Sequence, residues 1–222
     1  MSLAYVIGDV HGCLTELKEL LAQTDRYATR DDKYVFLGDY VDRGPDSKGV
    51  IDLLIERRDT HPVPHFFLKG NHEEMMVVGE HYWGLNGGWD TLASYGLESY
   101  DRDYRKKLPG DHWEFLNDLG LYHEHGRVVC VHAGINPHSA IDQQHPHDMV
   151  WDRSFVGFKG AYHDDKFVVY GHTPVDQPVI RDNQLGIDTG CVFGGTLTCA
   201  VLDEEGNREA WYTVKSGFEW KR

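Results

Sequence analysis

The sequence contains no run of about 18 consecutive apolar residues, the length a helix needs to cross a bilayer, so no transmembrane anchor is expected. Its opening, MSLAYVIGDVHG, lacks a basic segment ahead of the short apolar stretch, which argues against a secretory signal. Cysteine is scarce. Cys13, Cys130, Cys191 and Cys199 form no CxxC pair and no regular framework, which excludes a zinc ribbon or a disulfide scaffold. None stands in a CxxxxxR arrangement that would cradle a phosphate for a thiolate nucleophile, and Cys130, inside the apolar run VVCVHAG, is expected to pack as a small hydrophobe. A reducing cytoplasm is the simplest compartment for such a chain. Basic charge is also short: 22 Lys and Arg stand against 36 Asp and Glu, a formal charge of -14. Proteins that read a nucleic-acid backbone or an anionic membrane present basic surface, so neither partner is expected. The richest basic stretches, Arg57-Arg58 and Arg102 to Lys107, are interleaved with acids and read as solvated helix faces. A dinucleotide-binding GxGxxG is missing, as are internal repeats and any linker rich in Pro, Gly or Ser.

What is abundant is histidine. There are 14, several beside Asp, Asn or Gly and outside any apolar periodicity, and neutral imidazole is both a metal ligand and a proton shuttle. With 41% hydrophobic residues over 222 positions, the chain can fill one sizeable core unaided. Apolar runs and amphipathic stretches alternate at its start. Strands are expected at Leu3 to Ile7, Lys33 to Leu37 and His65 to Leu68, with helices at Leu14 to Leu21 and Lys48 to Arg57. Such a β-α-β-α-β beginning places the loops that follow its strands on one sheet edge. From about 74 to 120 the pattern is helical but broken by GLNGGW and LPGDHW, consistent with short helices inserted in a single 1–222 domain. Its aromatic residues, Tyr82, Trp83, Trp89, Tyr95 and Tyr100, fit core packing or a peptide groove. Beyond it come strands at Val128 to Val131, Val168 to Tyr170, Val179-Ile180, Gly186 to Asp188, Leu197 to Leu202 and Ala210 to Val214, separated by an irregular stretch from Asn136 to Met149. Turns at Arg181-Asp182-Asn183 and Glu204 to Asn207 make the closing strands antiparallel, so a mixed two-sheet α/β sandwich is expected.

Five expected strands run into polar loops of one kind: Gly8-Asp9-Val10-His11-Gly12, Gly38 to Gly44 (GDYVDRG), Gly70-Asn71-His72-Glu73, His132-Ala133-Gly134 and Gly171-His172-Thr173. Any one alone would ordinarily be a surface turn. Converging on one edge, Asp9, His11, Asp39, Asn71, His132 and His172 supply three oxygen and three imidazole ligands, enough for two metal ions bridged by one carboxylate, for which Asp39 is the natural candidate. Two ions about 3.5–4 Å apart clamp the oxygens of an in-line displacement at phosphorus. The mixed donors suit Mn, Fe, Zn or Co better than Ca or Mg. His72, next to a ligand, could face the substrate and protonate the leaving oxygen, with Asp42 holding its ring and raising its pKa. Arg43 and Arg153 could clamp phosphate oxygens bidentately.

These elements resemble the calcineurin-like metallophosphoesterase superfamily, in particular the small bacterial and phage type of Ser/Thr phosphoprotein phosphatase. The resemblance implies a four-layer α/β/β/α sandwich with two mixed β-sheets and a small helical insertion. It implies one metal on Asp9, His11 and Asp39, and a second on Asp39, Asn71, His132 and His172. The ions would be Mn²⁺, with iron or zinc as alternatives. It further implies His72 with Asp42 as the general acid pair, Arg43 and Arg153 on the phosphate, and attack by a hydroxide bridging the metals. The stretch IDTGCVFGGTLTC replaces the tyrosine-bearing loop of the eukaryotic enzymes, so eukaryotic-type regulatory partners are not expected. Bacterial dinucleoside tetraphosphate hydrolases share the opening GDVHGC through Cys13 and offer the alternative substrate. The complete DYVDRG, through Asp42, instead favours phosphoprotein or phosphopeptide monoesters and small phosphate esters. A non-catalytic metal-binding module is the third reading, disfavoured because every ligand is present.

Overall fold

The computed structural model describes all residues except 1, 80, 81, 161, 163, 164 and 222; residues 80 and 81 of the helical insertion therefore lie outside the described residues. Strands β1 (Ala4–Ile7), β2 (Lys33–Phe36) and β3 (His65–Phe67) run parallel, and β9 (Thr196–Leu202) pairs antiparallel with β1 and with β10 (Arg208–Lys215), giving the order β10-β9-β1-β2-β3. The second sheet holds β4 (Tyr122–His125), β5 (Val128–Val131), β6 (Phe167–Tyr170), β7 (Val179–Arg181) and β8 (Gln184–Gly186) in the order β4-β5-β6-β8-β7. Both sheets are mixed, since β5, β6 and β8 are parallel while β4 and β7 run against their neighbours.

Side-chain alternation along the strands makes the layers. In β1, Ala4 and Val6 face the second sheet with Val35, Cys130, Val169 and Leu185, whereas Tyr5 and Ile7 face Leu17 and Leu20 of helix α1 (Leu14–Thr24) and Leu54 of α2 (Ser47–Thr60). Residues between the sheets are mostly small or β-branched, and the larger aromatics Tyr34 and Phe36 lie under the helices, so each face meets a partner that fits its volume. Val131, Val168 and Tyr170 cover the outer face of the second sheet with Met149 and Val150 of α7 (Pro146–Trp151). The expected four-layer α/β/β/α sandwich is therefore observed. Cys130 is fully buried between the sheets, as its apolar setting suggested.

Three expectations need correction. β4 was not foreseen because YHEH has no apolar alternation; it forms by pairing with β5 at the sheet edge. The strand expected at Gly186 to Asp188 ends at Gly186, leaving Ile187 and Asp188 to extend toward the loop edge. The stretch from Asn136 to Met149 is not wholly irregular: it holds a 3₁₀ turn at Ile141–Gln143 and the start of α7, where Pro146 occupies a first-turn position that needs no N–H donor. The insertion takes in the end of α3 (Asn71–Val78), a 3₁₀ turn at Gly84–Asn86, α4 (Gly88–Ser94), α5 (Tyr104–Lys107) and α6 (Gly110–Asn117).

Candidate metal centre and active site

The five polar loops meet at one edge of the sandwich, where the carboxyl ends of β1, β2, β3, β5 and β6 come together. Their backbone is unusual. Among the described residues seven non-glycine positions have positive φ, and five of them are here: His11 (44°), Asp39 (51°), Asp42 (73°), Arg43 (68°) and His172 (65°). Non-glycine residues in the left-handed region store strain, of order 1–3 kcal/mol each, and persist only where the surroundings hold them. Glu73 is one such brace. Wholly buried, its carboxylate accepts the backbone N–H groups of Asp39, Tyr40, Val41 and Gly70 at 2.7–3.2 Å, tying the second loop to the third. Glycine serves mainly for close approach: a Cβ on Gly70 would stand 2.1 Å from Asp39 Oδ1, and one on Gly171 would stand 2.0 Å from Asp9 Oδ1.

Asp9, His11, Asp39, Asn71, His132 and His172 are all buried and brought together. His11 and His132 each commit the Nδ1 proton to a backbone carbonyl, that of Val41 (2.8 Å) and of Leu37 (2.9 Å), which fixes the tautomer and turns the Nε2 lone pair inward. His132 Nε2 then lies 3.2 Å from Asn71 Oδ1, 3.2 Å from His172 Nδ1 and 3.5 Å from Asp39 Oδ1. His11 Nε2 lies 3.3 Å from Asp39 Oδ2. Acceptor atoms thus face one another, His172 Nδ1 lying 2.9 Å from Asn71 Oδ1 as well, with too few protons to satisfy them. A divalent cation satisfies that deficit, and the residues fit one on each side of Asp39. Two metal-competent groups occur among the described residues, His11-Asp39-His72 and Asp39-His132-His172; both contain Asp39, and the first holds His72 where the sequence had suggested Asp9.

Electrostatics agree with the donor set. Burial holds the His11 imidazole down to about 4 and that of His172 to about 3, so the rings stay neutral and able to ligate. Burial, with the charges of Asp188 and Asp39, pushes the Asp9 carboxyl well above its usual range. Asp188 escaped the sequence reading. It lies in IDTGC just past β8, is pushed up to about 7 by burial, and adds another buried carboxylate to this region, whose side chain accepts the Gly190 backbone N–H. Nothing in its local sequence distinguishes it from an ordinary turn Asp.

His72 Nδ1 stands 2.6 Å from Asp42 Oδ2 in the interior. Asp42 also accepts the Trp83 indole N–H (2.9 Å) and the Thr91 hydroxyl (2.7 Å), so it acts as an acceptor and His72 Nδ1 as the donor, leaving Nε2 for the site. Asp42 was expected to raise the His72 pKa. Burial instead dominates: it lowers the imidazole to about 3 and raises Asp42 to about 7, so the pair shares a proton and carries little separated charge. Trp83 and Thr91 come from the insertion, and no motif announced them.

Arg43 reaches inward, donating from Nη1 to His11 Nε2 at 2.7 Å, while its buried Nε has no partner among the described residues. Phe193 and Trp220 hold the guanidinium from the far side, with ring centres 5.3 and 5.7 Å away. Arg153 is exposed at the end of α7 yet close enough to depress protonation of His72, His132 and His172. Both expected arginines therefore flank the cluster, one fixed and one at the rim.

Comparison with known proteins gives a consistent setting. The calcineurin-like phosphoesterase family pattern matches residues 4–207. Among curated proteins, the bis(5'-nucleosyl)-tetraphosphatase PrpE [asymmetrical] of Oceanobacillus iheyensis is 32% identical, over 90% of this chain and 88% of its own. Serine/threonine-protein phosphatase 1 of Salmonella typhimurium is 33% identical, over 89% and 91%. Among solved structures, one provisionally called a diadenosine tetraphosphatase superimposes with a TM-score of 0.71 at 23% identity, covering 96% of this chain and 93% of that one. A cold-active protein tyrosine phosphatase gives 0.65 at 16% identity, over 96% and 79%. At those identities the structural likenesses speak for the fold alone.

Proposed function

The chain belongs to the calcineurin-like phosphoesterase family, and from that premise we propose that it hydrolyses a bis(5'-nucleosyl) tetraphosphate at a site holding two divalent cations. The observation that carries the substrate is the near end-to-end likeness to tetraphosphatases, that of Geobacillus thermodenitrificans included, at 32% identity over 90% of both chains. The complete DYVDRG had favoured phosphoprotein monoesters instead. That inference is weak on chemical grounds, because Asp42 orients His72 for any oxygen leaving group, a polyphosphate included.

Two cations on Asp9, His11 and Asp39 and on Asp39, Asn71, His132 and His172 would supply Lewis acidity toward phosphoryl oxygens and a nucleophilic water near neutral pH. The remaining work falls to the chain's own groups. Arg43, clamped by Phe193 and Trp220, presents a guanidinium with a donor to spare, and Arg153 adds a second positive charge at the mouth; both bind the oxygens of the phosphoryl group under attack. His72 Nε2 delivers a proton to the departing oxygen, and Asp42, held by Trp83 and Thr91, fixes the ring. One P–O–P bond breaks, water supplies the new P–O bond, and its protons are shared between the two products.

The likeness to the Salmonella Ser/Thr phosphatase supports a second reading, phosphoprotein hydrolysis at the same site. Rates measured side by side on diadenosine tetraphosphate, a phosphoserine peptide and an aryl phosphate separate the two. The expected order of kcat/KM places the tetraphosphate at least tenfold ahead. A phosphopeptide that equals or exceeds it would reverse the assignment.

A further inference from the structure

Two features of the insertion take no part in the chemistry above: its aromatic residues other than Trp83 and the basic run from Arg102 to Lys107. The structure brings them together around a cavity of about 780 Å³. Trp83, Trp89 and Leu92 form its inner wall, and Tyr100 and Arg102 lie on its border. Of the large apolar residues exposed among the described residues, Val78, Leu85 and Tyr100 all line this one cavity. Tyr100 is 72% exposed, and its ring stands 4.7 Å from that of Trp89. Its backbone has φ of 67°, a conformation a bulky side chain rarely adopts, so the loop holds an aromatic face open to solvent at some conformational cost. Folding alone gives no reason for that.

The cavity lies against the active site. Trp83 lines it and donates its indole N–H to Asp42, so a single side chain separates it from the His72-Asp42 pair. Thr91, the other donor to Asp42, sits on α4 between the lining residues Trp89 and Leu92. Charge at the rim is opposite to that of the molecule. In a chain of net charge -14, the guanidinium of Arg102 has no hydrogen-bond or ion-pair partner among the described residues, and the carboxylate beside it, Asp101, is neutralised by Lys107. Exposed π-faces next to an unpaired arginine match a nucleoside attached to phosphate: the base stacks and the arginine meets the anionic chain.

We infer that this cavity is the nucleoside subsite, in which a base stacks on Tyr100 and Trp89 while Arg102 meets the polyphosphate running back to the metal centre. The inference rests on the tetraphosphate reading and adds where the nucleoside goes. A peptide segment with apolar side chains is the competing occupant, but it leaves the unpaired Arg102 without a function.

Tyr100→Ala is the informative variant, because an exposed ring can be removed without emptying the core. KM for diadenosine tetraphosphate is expected to rise about tenfold, in line with the loss of one base-aromatic stack, with aryl phosphate hydrolysis unchanged. In parallel, ATP and inorganic tripolyphosphate are compared as inhibitors of aryl phosphate hydrolysis by the metal-loaded enzyme, with cations in excess over both. Wild-type protein is expected to bind ATP about tenfold more tightly than the base-free chain, and Tyr100→Ala to bind the two alike. Equal inhibition in the wild type, or an ATP preference that survives the substitution, would overturn the subsite. So would a rise in KM confined to a phosphopeptide, which would make the cavity a peptide groove. A wild-type enzyme inert toward the tetraphosphate would refute the proposed function, and the inhibitor comparison would still decide the cavity.

Discussion

At the scale of single residues, the distinguishing question is how much the reaction needs a proton from His72. A serine alkoxide is a poor leaving group, whereas a terminal phosphate has a second pKa near 6 and departs with little help. His72→Asn removes the proton and leaves Asn71, Asp39 and the other ligands in place. On a phosphoserine peptide or alkyl phosphate, kcat should fall by about 10²–10³-fold, within the usual contribution of general acid catalysis. On diadenosine tetraphosphate the loss should be about tenfold or less. Equal losses on both substrates would place His72 in another role, such as holding a cation, a role its proximity to His11 and Asp39 also permits. The residues on which this depends were legible in the sequence because each follows a strand end and carries a side chain too polar for its neighbours. Their helpers were not. Trp83 and Thr91 act through buried hydrogen bonds to Asp42, 41 and 49 positions away in the chain, and nothing local marks a Trp or Thr as such a donor.

At the scale of elements, strand and helix positions followed from period-two and helical patterning, with the unforeseen β4 lacking an apolar signal altogether. The junction of α1 and α2 shows what patterning does not reveal. Arg57 of α2 donates two hydrogen bonds of 2.8 Å to Asp25, at the end of α1, and its guanidinium lies 5.1 Å from the ring centre of Tyr34 on β2, whose hydroxyl also donates to Asp25. Partial burial raises the Asp25 pKa, but the hydrogen bonds from Arg57 and Tyr34 outweigh it and hold the carboxyl below its ordinary value. A depressed folded-state pKa contributes stability that is fully present above the unfolded value, about 3.9, and fades as pH falls through the folded one. Asp25→Asn should therefore cost about 1–2 kcal/mol at pH 7, the lower part of the range for charge-assisted bonds because the side chain is 31% exposed. Urea midpoints of the variant and wild type should differ by a constant amount from pH 7 to about pH 5 and converge below pH 4. A gap that widens in acid would show that the pair does not carry this linkage.

At the scale of the whole molecule, the -14 charge takes on a different meaning once the centre is seen. Part of that excess, Asp9, Asp39 and Asp188, is buried at one sheet edge. Burial and mutual repulsion push Asp9 and Asp188 up, so they resist ionisation unless cations neutralise them. At Asp39 burial is outweighed by the neighbouring His132, His72 and His11, which hold the carboxyl well below its usual range. Because five strand ends from two sheets supply the donors, a cation bound there links both halves of the sandwich and stabilises the folded chain over the unfolded one. At a free concentration a hundred times Kd, one ion adds about 2.7 kcal/mol, which for a domain of this length corresponds to a rise in Tm of about 5–10 °C. Mn²⁺ should raise the Tm of chelator-treated protein by at least that much, in a concentration-dependent manner. Asp39→Asn takes away the shared carboxylate while preserving shape, and Asn tolerates the positive φ found at this position. That variant should gain little from added Mn²⁺, where the chelator-treated wild type gains the full shift. A variant that gains as much from Mn²⁺ as the wild type would show that Asp39 does not join the two sites.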